Sequence, residues 1–379
     1  MQRNKDRILT TYAGSLPRPE DLAKMMFDRI DGKPVDAAKL DARVKEAVAE
    51  AVEKQLACGI DIVSDGEMSK PGFSNYACER FTGFEGSGRF VAADMAEVPG
   101  LAQRQYANEG SRHIRSPMAV GAVAVKDHES PKRDIANFKA ALRGRDPDLA
   151  FIPAVTPSHM FWQFGNKHYK NEEDYLQALA AALREEYQAI IDAGFNLQLD
   201  SPDLAMCGHG HNDSSGPIDI KKHVPRAIEV LNHATRGLPP DRIRLHLCWG
   251  NYPGPHHKDV ELRAIIEPVL KTTATWIYFE AANPRHEHEW EVWKDVKLPA
   301  GKAIIPGVID SVTNHVEHPR LIAQRIERFA EFVGRENVVA GTDCGFGTFV
   351  GWSGCDPQVV WLKLKALAEG ARIASDRLW

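Results

Sequence analysis

Residues 36–65 read DAAKLDARVKEAVAEAVEKQLACGIDIVSD, and their pattern decides the fold. Leu40, Val44, Val48, Val52 and Leu56 recur at helical spacing, so a helix from Asp36 to Cys58 has one apolar face. Asp36 can cap its first turn, and Gly59 stands just past its end, where a left-handed residue commonly stops a helix. The run IDIVSD follows at once from Ile60, with Ile60, Ile62 and Val63 as its apolar residues and a carboxylate at its close. A helix that feeds a buried strand through so short a turn is one half of a β/α unit.

The same alternation extends in both directions. Strand-like runs begin at Ile8 (ILTTYAG), Met118 (MAVGAV), Ala150 (AFIPAV), Asn196 (NLQLDS), Arg242 (RIRLHLCW), Thr275 (TWIYFEA), Ala303 (AIIPGVID) and Asn337 (NVVAGTD). A second helix, from about Glu172 to Ala193 and stopped by Gly194, leads into the run at Asn196. With Ile60 this makes one run more than an eightfold barrel needs. The Met118 run is the expected extra, a hairpin or barrel-floor strand. No Gly/Ser-rich or Pro-rich linker and no fixed repeat interrupts the series. The expected fold is therefore α/β, a single (β/α)8 barrel domain over 1–379 rather than an open doubly wound sheet, with a long insertion near residues 81–115.

Composition limits the partners. The 379 residues carry 47 Lys plus Arg against 52 Asp plus Glu, and this mild acidity disfavours a polycation for nucleic acid. The longest apolar runs have strand length and fall short of the ~20 residues a membrane helix needs. The opening MQRNKDRILTTYAGSLPRP is too polar for a secretory signal, so a cytoplasmic protein without a membrane partner is expected, with homo-oligomers left open. Six irregularly spaced cysteines suit reduced thiols or a metal site better than a disulfide framework. No GxGxxG or P-loop supports a nucleotide, and no motif supports pyridoxal phosphate or flavin.

Polar residues gather where the apolar runs end: Ser15 and Arg18, Asp65 and Glu67, Asp200, His246 and Cys248, Glu280, Asp310, and Asp343 with Cys344. In a parallel barrel these ends share one face and converge on one site. His246 and Cys248 lie two apart, so a strand points both to the same side, which in a barrel can be the lumen. Glu280 ends the next strand and Cys344 the last; imidazole, two thiolates and a carboxylate make a tetrahedral set suited to Zn²⁺. Taken alone, the HxC pair also describes a buried histidine beside a buried cysteine. Glu67 and Asp200 could accept from an ammonium, or cap a helix or loop. His209 and His211 in CGHGHND read as loop histidines rather than a second metal site, while His256 and His257 follow HLC near the expected metal.

The strings TTYAGSLPRP, DIVSDGE, LQLDSPDLA, HLCWGNY, FEAANP, IPGVID and GTDCGFGT, in this order from about Thr10 to Thr348, resemble the C-terminal catalytic barrel of cobalamin-independent methionine synthase and its shorter relatives. The resemblance implies a barrel of the methionine synthase and uroporphyrinogen decarboxylase-like type with zinc on His246, Cys248, Glu280 and Cys344. Relatives of this length include single-barrel methionine synthases and epoxyalkane:coenzyme M transferases, both of which activate a thiol on zinc. Such a metal deprotonates a thiol that is otherwise mostly protonated at neutral pH. The implied activity is zinc-dependent S-methyl transfer in methionine biosynthesis, from a 5-methyltetrahydrofolate-type donor to homocysteine or a related thiol. The alternatives are coenzyme M-like alkylation of another thiol, or a zinc hydrolase or lyase. Ser15, Glu67 and Asp200 are carried onto positions that contact the amino acid thiol. Arg18 could meet a carboxylate or sulfonate, Arg115 resembles an arginine before the family's proline pair, and Trp162 offers a stacking face to the methyl donor. Asp310 matches an aspartate that pairs with a proton-donating histidine; the histidine here is His315, farther along than in the family.

Overall fold

The computed structural model describes residues 4–88, 91–107, 110, 114, 116–209 and 218–379. Asp36 caps the helix Ala37–Ala57 by accepting from the amides of Ala38 and Lys39 at 3.0 and 3.2 Å, and Gly59 turns the chain at φ +84°. Asn171 caps the helix Glu172–Asp192 in the same way, and Gly194 turns at φ +90°. Each turn then delivers the chain to a buried strand, as the local signals require.

The strands are β1 (Val63–Ser64), β2 (Phe84–Gly88), β3 (Ser116–Ala119), β4 (Ala150–Val155), β5 (Asn196–Asp200), β6 (Ile243–His246), β7 (Trp276–Phe279) and β8 (Ala303–Pro306). Six of them form a parallel sheet in the order β1-β4-β5-β6-β7-β8. Two more segments close the ring: Thr10 pairs in parallel with Ala340, Ile304 with Val338 and Gly307 with Gly341, while the Ile62 amide reaches the Thr10 carbonyl at 3.0 Å. The ring is thus an eightfold parallel barrel. Its strands are buried on both faces, so the polar residues that alternate along β5 and β6, Gln198 and Arg244 among them, are buried as well.

The Met118 run does not join the barrel. β3 pairs antiparallel with β2 in a separate two-stranded sheet. Between them lie the short helices Ala93–Ala96 and Pro99–Gln105, so the expected insertion is a small irregular layer. The last helix, Pro357–Leu378, packs on Pro319–Val333, and its Ser375 accepts from the Ile8 amide at 2.9 Å.

Candidate metal centre and substrate cavity

Strand periodicity builds the site from below. Arg244 and His246 of β6 point into the barrel, two residues apart. Arg244 is fully buried over the Phe151 ring at 4.0 Å, and its guanidinium donates to Thr11 Oγ1 and the Tyr12 carbonyl at 3.0 Å. His246 sits one layer higher, its ring 4.7 Å from that of Tyr278.

The structure brings His246, Cys248 and Cys344 together: all three are buried and their ligand atoms lie within 4.8 Å of one another. The two sulfurs are 3.3 Å apart. His246 Nδ1 is 2.9 Å from Asp200 Oδ1, whereas its Nε2 is buried without a partner. A carboxylate on Nδ1 leaves the Nε2 lone pair free, which is the usual arrangement of a metal-binding histidine. A buried, unpaired nitrogen beside two buried thiols fits a soft divalent ion better than it fits an apolar core.

Glu280 is also buried here, but the structure does not place it in that trio. Its Oε1 accepts from the Trp249 amide at 2.8 Å and its Oε2 from Asn283 Nδ2 at 2.9 Å. Burial, with Cys248 and Asp343 nearby, pushes its carboxyl well above the usual range. Asp343, next to Cys344, takes the amides of Ala281, Ala282 and Asn283 at 2.8 Å. The loops after β7 and before Cys344 are therefore tied together around the thiols. Neither Trp249 nor Asn283 stood out in the sequence, although Trp249 directly follows the HxC pair.

Toward the other wall, Glu67 is buried with Oε2 unpaired, and its backbone sits at φ +56°, a conformation that non-glycine residues hold mainly where function or packing demands it. Burial pushes its carboxyl up to about 7; Lys70 pulls against this and Asp200 adds to it. Asp200 Oδ1 serves both His246 and Gln198, at 2.9 and 2.8 Å. Ser15 is buried, with its Oγ 3.4 Å from the Gly347 amide. A side chain on Gly345 would collide with that hydroxyl, since an added Cβ would lie 2.0 Å from it.

A cavity of about 150 Å³ opens beside Cys248. Its walls include Phe73, Trp162, Tyr252, Phe349 and Trp352, with Ala92, Tyr106 and Ile114 of the insertion above. Trp162 is buried in this wall. His159, unremarked in the sequence, packs between Phe73 and Trp162 at 5.0 and 5.4 Å, and burial lowers its imidazole to about 4.

Two expectations need correction and two residues fall outside the described ones. Arg18 has its fork occupied: it donates to the carbonyls of Leu16, Gly347, Glu67 and Lys70, so it braces loops instead of receiving a carboxylate or sulfonate. His315 is exposed and does not join buried Asp310, whose Oδ1 instead accepts from the Val312 amide at 2.9 Å. Arg115 and His211 lie outside the described residues.

A second polar cluster flanks the first. Asp259 Oδ1 meets His209 at 2.8 Å, and its Oδ2 meets His256 and His286 at 2.8 and 3.0 Å. His286 also pairs with Glu289 at 2.8 Å and packs on Trp249 at 4.5 Å. His257 lies outward, on Glu97. The three imidazoles, with burial opposing them, hold the Asp259 carboxyl well below its usual range.

Comparison with known proteins follows this geometry. The chain matches no protein-family model. It is 24% identical to the methionine synthase of Saccharolobus solfataricus, covering 97% of this chain and 95% of that protein. It is 24% identical to the methionine synthase of Sulfolobus acidocaldarius, covering 89% and 85%. Among solved structures, a B12-independent methionine synthase from Shewanella sp. W3-18-1, in complex with selenomethionine, superposes with a TM-score of 0.76 at 21% identity, covering 98% of this chain and 99% of that one. The putative vitamin-B12 independent enzyme from Listeria monocytogenes does so at 0.69 and 20%, covering 99% of each. The chain is thus similar to methionine synthases over nearly its whole length, and it shares the barrel fold of the B12-independent enzymes.

Proposed function

We propose that residues 1–379 act as one domain and form a zinc-dependent S-methyltransferase, passing a methyl group from a 5-methyltetrahydrofolate-type donor to homocysteine or a related thiol. The observation that carries this reading is the buried His246, Cys248 and Cys344 trio with its unpaired imidazole nitrogen. The names of the relatives, methionine synthases, support the same activity.

His246, Cys248 and Cys344 would hold the ion, with Glu280 beside them as the fourth and hardest ligand. A zinc ion bound there supplies the charge that keeps an entering thiol deprotonated at neutral pH. The chain's own residues do the rest. Asp200 holds the proton of His246 on Nδ1. Glu67, with Oε2 unpaired, accepts from the ammonium of an amino acid thiol, and Asp200 adds its negative charge close by. The apolar walls around Trp162 seat the donor and exclude water. In the transfer the S–CH₃ bond forms as the donor's N–CH₃ bond breaks, and the leaving nitrogen takes up a proton. A coenzyme M-like reading would call for a cationic anchor for its sulfonate, and both terminal nitrogens of Arg18 are engaged with backbone carbonyls.

The test is metal analysis of the purified chain together with methionine formation from homocysteine and 5-methyltetrahydrofolate. Stoichiometric zinc and product are expected. A chain that retains no zinc and makes no methionine overturns the proposal.

A further inference from the structure

The insertion between β2 and β3 supplies the ceiling of the cavity, yet its own elements are weak. Helices as short as Ala93–Ala96 and Pro99–Gln105 do not hold themselves, and the two-stranded sheet that flanks them is anchored at its β3 end, where Ala119 bridges to Asn166, and not along the insertion. Something must fasten this layer to the barrel. Asp94 is fully buried and bridges to the loop after β6: its two oxygens take the Tyr252 hydroxyl at 2.8 and 2.9 Å, and Oδ2 also takes the His256 amide at 2.8 Å.

The far side of that bridge is rigid. The Tyr252 ring is boxed in by its own loop, where a Cβ added at Gly250 or Gly254 would meet it at 2.5 and 2.2 Å. It stacks on His256 at 4.3 Å, and His256 is held by Asp259 at 2.8 Å. The same ring lines the cavity beside Cys248.

We infer that Asp94 is a positioning residue: through Tyr252 it fastens the insertion as a fixed roof on the cavity, and so sets how tightly a ring-bearing methyl donor is held. The identity of the occupant rests on the function proposed above; the roof itself does not.

Two variants of the zinc-loaded chain test this, Tyr252→Phe, which removes only the hydroxyl, and Asp94→Asn. Amide hydrogen exchange over residues 93–106 should accelerate in both. The KM for 5-methyltetrahydrofolate should rise about tenfold, the loss of roughly one good contact. The KM for homocysteine, and methylation of homocysteine by methyl iodide, which needs no seating, should change less than about twofold. Unchanged exchange in both variants overturns the roof, and faster exchange with an unchanged donor KM overturns its part in donor binding. If the unaltered chain makes no methionine, the proposed function falls, while the exchange experiment still decides whether Asp94 fastens the insertion.

Discussion

Two buried clusters of histidine and acid share the mouth of this barrel, and they differ in what they leave unsatisfied. Around His246, polar atoms are held back from the protein: Nε2 of the imidazole and Oε2 of Glu67 have no partner. Around Asp259, almost every atom is engaged, with three imidazoles on one carboxylate and Glu289 closing the chain through the Leu262 amide at 2.5 Å. His209 Nδ1, 3.6 Å from Asp94, is the exception. Unpaired buried groups are costly and persist where a ligand completes them, whereas a closed network braces the structure. The residue types are the same; satisfaction separates the site from its scaffold.

The sharpest break would come at the thiols. Cys248→Ser or Cys344→Ser should strip most of the zinc and, with it, methyl transfer, read by metal analysis and product formation. If either variant keeps full zinc, the trio is not the metal centre.

Glu67→Gln should leave zinc in place and raise the KM for homocysteine about 10- to 100-fold, corresponding to a charge-assisted bond of about 1.5–3 kcal/mol. Asp200→Asn should touch both functions, because the same carboxylate also holds His246. With Glu67 pushed up to about 7, homocysteine should bind more tightly as pH rises through neutrality. A flat KM profile there would remove Glu67 from amine recognition.

The closed cluster should answer in stability instead. Burial works against a charged His286, yet its bonds to Asp259 and Glu289 and the charge of Glu280 carry it from 6.5 up to about 10. Between those values the folded chain keeps a proton that the unfolded chain has lost. The stabilisation is therefore complete below pH 6.5 and fades as pH climbs through about 10. Asp259, shifted the other way, contributes above its ordinary value of 3.8 and loses that contribution only in stronger acid. Thermal melts should fall across the alkaline range. His286→Gln should flatten that fall and cost about 3–5 kcal/mol, as breaking a buried ion pair does, with zinc retained.

The smallest effect is expected on the exposed face: His315→Ala should leave kcat/KM within about twofold, like other surface substitutions. A large loss would return it to the site.

Much of this was legible in the chain because it is periodic. Apolar spacing and caps located the helices Ala37–Ala57 and Glu172–Asp192, and an alternation of two placed Arg244 and His246 on one side of β6. Convergence at strand ends follows from parallel topology alone, so the gathering of His246, Cys248 and Cys344 could be anticipated although the two cysteines lie 96 positions apart. Arg18 could not be read correctly. Its partners are backbone carbonyls, one of them on Gly347, and a carbonyl leaves no mark in the side-chain alphabet.

The sequence by itself determined the repeating β/α units, the surplus Met118 run and the ligand types at the strand ends, since each depends on local propensity or short-range period. Only the tertiary structure decided which polar atoms are paired. It turned Glu280 toward Trp249 and Asn283, set His315 outside, built the Asp259 network from three loops and laid Asp94 of the insertion against Tyr252. Hydrogen-bond satisfaction is a property of atoms brought within about 3 Å by the whole fold, and no window of sequence contains that distance.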